Sequence, residues 1–169
     1  AFEAGASAPN FTAGPNAFCD QSVPLIPATD TATATLVRCS NWGNGTPGAR
    51  FSMAGVPNGT YQVSVYVWED NASQTFNLVA NGTTVAANVV SGPAGTWKVL
   101  GPYPVNVING SIAVTTSGGA ANLSALVVNR AGSAPANQAP TVTSPGAQTS
   151  TQGTAISPVS VVASDPDAG

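Results

Sequence analysis

The segment YQVSVYVWED at residues 61–70 constrains the fold of this chain more than any other stretch, because it alternates with a period of two. In an extended strand Tyr61, Val63, Val65 and Val67 fall on one face, and Gln62, Ser64, Tyr66, Trp68 and Asp70 on the other. The first set is a core face. The second should meet water, yet it ends in two aromatics and a carboxylate.

Similar runs recur at 1–4, 31–38 (TATATLVR), 49–53, 60–69, 75–80, 83–90, 97–107, 111–116 and 123–129. Asn58-Gly59, Asn81-Gly82 and Asn109-Gly110 lie between such runs, and Asn-Gly accepts the positive φ of tight hairpin turns. No segment sustains a period of 3.6. The pattern predicts an all-β chain, a jelly-roll β-sandwich with strands joined mostly by hairpins. Residues 6–30, rich in Pro and Ala without alternation, should make a long excursion across it. A Cys19–Cys39 disulfide would tie that excursion down and add on the order of 3 kcal/mol. Two free buried thiols are the other reading.

After residue 130 the texture changes. Residues 131–139 read as a linker of small residues and prolines, and 140–169 supplies two short strands, too little for an independent sandwich. The expected organisation is a sandwich at 1–130, a linker at 131–139 and an incomplete segment at 140–169. The start at AFEAG, without Met, fits either a processed N-terminus or an arbitrary starting point.

Charged residues make up only 7% of the chain, against roughly a quarter in average globular proteins. Four basic side chains with no cluster argue against nucleic acid as a partner, and no apolar run reaches the ~20 residues that span a bilayer. Abundant Thr, Ser and Asn, with 18 Gly and 14 Pro, point to a secreted or cell-surface location. In a chain so rich in Asn, Gly and Thr, the sequons at Asn10, Asn44, Asn58, Asn71, Asn81, Asn109 and Asn122 are read as chance. There is no histidine to activate a nucleophile. Glu69 and Asp70 are neighbours that a strand would send to opposite faces, so no catalytic carboxylate pair is expected. The reading is a non-enzyme without cofactor or metal.

The aromatics carry the functional signal. Phe2, Phe51, Tyr61 and Phe76 sit on core phases. Trp42, beside Asn41 in the polar stretch CSNWGNGTPG, and Trp97, at a loop-to-strand junction, have no obvious core slot. Either ring caps the end of the sandwich, or it offers a face to the C–H surface of a neutral sugar whose hydroxyls find nearby amides and carboxylates. Trp68, with Asp70 and Asn71, either floors a second glycan surface or lies beneath the 6–30 excursion.

The block AGTWKVLGPYPVNVINGSIAVTTSGGAANLSALVVNR at 94–130 resembles the C-terminal half of carbohydrate-binding modules of families 6 and 35. VPNGTYQVSVYVWEDNASQTFNLVANGTTV is similar to the central hairpin shared with malectin-like domains, and AFEAGA to their first strand. The resemblance implies a galactose-binding-like jelly roll that binds glycans without cleaving them. It makes Trp97 the stacking ring, Asn122 the hydrogen-bonding amide, and Trp42, with Phe18 behind it, the second aromatic. The family's structural calcium is expected to be lost, since Gly5 and Ser124 stand where two of three carboxylates belong. Specificity for a diglucose is not implied, because DNASQ replaces the Tyr-Phe pair of malectin. Residues 140–169 resemble the start of a bacterial immunoglobulin-like or cadherin-like repeat, so the chain reads as the N-terminal part of a longer protein. The expected function is binding of a neutral glycan as a module of that protein. The alternative is a structural subunit or adhesin that self-associates by strand addition through 140–169.

Overall fold

The computed structural model describes residues 2–3, 9–19, 22–132, 140–155 and 158–164, excluding the side chains of Phe2 and Glu3. It divides into two units, Ala1–Ala131 and Gly132–Gly169. In the first, chain order runs β1 (Phe2–Glu3), β2 (Phe11–Ala13), β3 (Ala17–Phe18), α1 (Thr31–Arg38), β4 (Ser40–Gly43), β5 (Arg50–Ala54), β6 (Gly59–Trp68) and β7 (Thr75–Ala80). It continues through β8 (Thr83–Val90), β9 (Trp97–Val107), β10 (Ser111–Ser117) and β11 (Ala121–Arg130).

One sheet has the order β3-β4-β11-β6-β9, with β1 also paired to β11; the other has the order β2-β5-β10-β7-β8. Between them lies a single apolar core that includes Phe51, Val63, Val65, Val67, Phe76, Leu78, Ile112, Val114 and Leu123. Strand β6 behaves as its alternation predicts, with Tyr61, Val63, Val65 and Val67 buried.

The turns do not all do what their sequences imply. Asn81-Gly82 closes a two-residue hairpin between β7 and β8, with φ of 44° and 80°. Asn58-Gly59 and Asn109-Gly110 instead carry the chain from one sheet to the other, because β5 and β10 lie in the sheet opposite β6 and β9. These two crossings are tied together. The Gly110 amide donates to Asn58 Oδ1 at 3.2 Å, and the Val56 amide donates to the Gly110 carbonyl at 2.9 Å. Asn-Gly sets local dihedrals; which sheet the next strand joins is decided by the apolar faces seeking the core.

TATATLVR, expected as a strand, is the helix α1. Alternating Thr and Ala imitates a period of two, but Ala favours helix and Asp30 supplies an N-cap. Asp30 Oδ1 accepts from the Thr33 amide at 2.9 Å, and Oδ2 accepts from the Thr33 hydroxyl at 2.9 Å. The same Thr33 amide and hydroxyl hold the Asp30 carboxyl below its ordinary pKa of 3.8. Val37 is the helix's buried anchor.

The excursion is also more ordered than its composition implies. Within it β2 pairs with β5 and β3 with β4, and the stretch expected as a polar loop around Trp42 is the strand β4. Cys19 and Cys39 are disulfide-bonded. Further on, the Ile26 amide donates to the Gly95 carbonyl at 2.8 Å, and the Trp97 amide to the Ile26 carbonyl at 3.1 Å. In the second unit β12 (Thr141–Thr143) pairs antiparallel with β13 (Val162–Ser164). The greater part of the expected linker, 133–139, and the final 165–169 lie outside the described residues.

Candidate functional site

Strand β11 organises the site. Asn122 is the direct cross-strand partner of Trp42 on β4, so both side chains stand on the same face. On its other side β11 pairs with β6, which ends at Trp68 before the chain turns through 69–74 towards β7. Ahead of β11, Gly119 packs against the Thr75 carbonyl so closely that a Cβ has no room. A cleft of about 320 Å³ opens where these ends meet. Phe18 and Trp42 supply its aromatic lining; Glu69, Asp70, Asn71, Gln74 and Asn122 its polar groups; Ala120 and Ala121 leave space between them.

Trp42 is 45% exposed, whereas Asn122 is only 5% exposed. Asn122 Nδ2 donates to Asp70 Oδ1 at 2.7 Å. That contact fixes the amide orientation, since the reverse would set two acceptors together. Asn122 Oδ1 is then left buried with no hydrogen-bond partner among the described residues. An orphaned buried acceptor costs about 1–3 kcal/mol, so this atom is poised for a donor.

Glu69 shapes the cleft from beneath. It is 4% exposed; Oε2 accepts from Ser91 Oγ at 2.6 Å and Oε1 from the Asn71 amide at 3.0 Å. Ser91 Oγ also accepts from the Gln74 amide at 2.8 Å, so one carboxylate fastens both ends of the 69–74 turn. Glu69 and Asp70 both line the cleft, with the Glu69 carboxylate held by Ser91 and the Asn71 amide and that of Asp70 held by Asn122. Strand β6 has ended at Trp68, and its alternation no longer governs them.

Of the residues singled out from sequence, Phe18, Trp42, Asp70, Asn71 and Asn122 come together here. Trp97, Trp68 and Asn41 do not. Trp97 donates its indole N–H to the Pro27 carbonyl at 2.7 Å and stacks on Tyr66, with centroids 6.3 Å apart and planes at 6°. Trp68 is buried, its ring 6.3 Å from that of Phe18. The aromatic face of β6 is thus covered by the excursion, not offered as a second surface. Asn41 points inward, where its Oδ1 accepts from the Arg50 amide of the facing sheet at 2.9 Å. Ser124 is also committed, bonded to Ser40 Oγ and the Val37 carbonyl, each at 2.8 Å. Glu69, Gln74, Ala120 and Ala121 were not anticipated as lining, because no local pattern marks where a turn will fold back.

The two facing sheets make a β-sandwich of jelly-roll type. A calcium-binding mutant of Bacteroides uniformis β-glucuronidase 2 is similar to it, with a TM-score of 0.54 and 14% identity over 75% of this chain. The chain spans 15% of that enzyme's length. The CBM36-1 domain of a multidomain xylanase from the hindgut metagenome of Trinervitermes trinervoides is also similar, with a TM-score of 0.46, 15% identity, and coverage of 78% of this chain and 96% of that one. CBM35 from Paenibacillus barcinonensis gives a TM-score of 0.42, 17% identity, and coverage of 77% and 98%. No protein-family model matches the sequence, and no curated protein matches it.

Proposed function

We propose that the Ala1–Ala131 unit is a non-catalytic carbohydrate-binding module of a secreted or cell-surface protein, and that its cleft holds a neutral sugar. One observation carries this reading: the exposed indole of Trp42 stands directly beside Asn122, whose amide is bonded to Asp70 and whose carbonyl lacks a partner among the described residues. A pyranose needs an apolar ring for its C–H face and short polar groups for its hydroxyls, and the cleft has both. Its volume, about 320 Å³, lies at the small end of ligand pockets and suits one or two sugar rings. Binding without cleavage fits the chemistry, since the oxygens of Glu69 are both occupied structurally and the sequence has no histidine. Binding also needs no calcium: where the resemblance expects a carboxylate ligand, Ser124 offers a hydroxyl already engaged under α1. The test is a glycan array probed with wild type and Trp42→Ala. A neutral glycan bound by the first and lost by the second supports the reading, and an array with no binding counts against it.

A second reading has its own observation. β12 and β13 form a two-stranded sheet in which Val142 and Val162 are each 62% exposed, and a lone pair of strands is marginal in water. Self-association by strand addition would pair its open edges and extend this sheet. Light scattering at high protein concentration decides it: a monodisperse monomer excludes this role.

A further inference from the structure

We infer that the cleft, beyond holding a neutral sugar, ranks sugars by charge: it also accepts an amino sugar that bears an ammonium and holds it more tightly than its neutral counterpart, and it rejects a uronic acid. This rests on the cleft being a glycan site. Its polar lining sets two carboxylates beside the carboxamides of Asn71, Gln74 and Asn122. Glu69 and Asp70 are carboxylates, and Asn122, which lines the same cleft, keeps a buried carbonyl oxygen without a hydrogen-bond partner among the described residues. Among the described residues, no lysine or arginine lines the cleft. Lys98, the chain's single lysine, donates its ammonium to the Val90 carbonyl at 2.6 Å.

A site that holds carboxylates and no cation favours ligands that bring donors and positive charge. A hydroxyl supplies one proton, and an ammonium supplies three together with a charge opposite to that of Asp70. A uronate carboxylate brings only acceptors and a like charge, and like charges brought together across an interface are strongly unfavourable. The inference concerns Asp70 above all. The oxygens of Glu69 are taken by Ser91 and the Asn71 amide, whereas Asp70 makes its contact to Asn122 from Oδ1.

The experiment is calorimetric titration of the whole chain with β-1,4-linked oligomers of glucosamine, glucose and glucuronic acid, matched in length, at low and high salt. The expected order is amino above neutral by about tenfold or more at low salt, with no measurable binding of the uronate. High salt should narrow the gap, because it screens exposed charge. Asp70→Asn should shrink the ratio of amino to neutral affinity. Equal affinities, or preference for the uronate, overturn the charge ranking and leave the glycan reading intact. Failure of all three oligomers to bind also overturns the ranking, and the array with Trp42→Ala then decides separately whether the cleft is a glycan site.

Discussion

Trp42 and Asn122 are opposite residues of one antiparallel ladder, so a half-exposed indole and a buried carboxamide are held side by side by backbone hydrogen bonding, not by loop conformation. Sites carried on paired strands keep their geometry better than sites on free loops. Asp70 completes the arrangement from the 69–74 turn, and each prediction below probes one part of it.

Asp70→Ala removes the acceptor for Asn122 Nδ2 and leaves a second polar atom of that buried amide without a partner. The expected loss of stability is about 1–3 kcal/mol, together with weaker glycan binding. Denaturant midpoints of the variant and of wild type check this.

The disulfide frames both aromatic walls. Cys19 directly follows Phe18, and Cys39 directly precedes β4, which carries Trp42. Replacing both cysteines by Ser should cost on the order of 3 kcal/mol for a loop of this length. Glycan affinity should fall even at temperatures where the variant remains folded. Unchanged affinity in the folded variant would show that β3 and β4 hold Phe18 and Trp42 without the bridge.

The N-cap of α1 has a defined pH signature. Hydrogen bonds from Thr33 lower the pKa of Asp30 in the folded state, so the cap stabilises the fold when ionised. A depressed carboxyl contributes above its unfolded pKa and loses that contribution as pH falls through the folded value. Asp30→Ala should therefore lower the melting temperature at neutral pH, and the difference from wild type should shrink once pH drops below 3.8. A constant difference across that range contradicts the cap.

Chelation should change nothing. With Ser124 bonded to Ser40 and the Val37 carbonyl, excess EDTA is expected to leave both the melting temperature and glycan affinity unaltered. A fall in either would reveal a cation that stabilises this unit.

Much of the sandwich was legible in sequence because burial writes a period of two into long strands, as β6 and β10 show. What escaped notice depended on tertiary context. The short strands β2, β3 and β4 take their form from their neighbours, and α1 takes its helix from a capping side chain and a buried anchor, Val37, that no local pattern marks. In the cleft, Trp42 and Asn122 stood out by residue type. Trp97 stood out equally, yet the carbonyl that satisfies its indole comes from Pro27, seventy positions earlier in the chain. Likewise, the placing of Glu69 and Asp70 in one cleft follows from where β6 stops, which alternation does not announce.

The most direct test of the central claim is a two-dimensional ¹H–¹⁵N NMR titration with the glycan that binds best, following the side-chain N–H signals of the three tryptophans and of Asn122. The indole of Trp42 and the amide of Asn122 should shift together and saturate at one shared affinity, while Trp97, whose N–H is held by Pro27, stays still. Movement of Trp97 with Trp42 and Asn122 silent would contradict it.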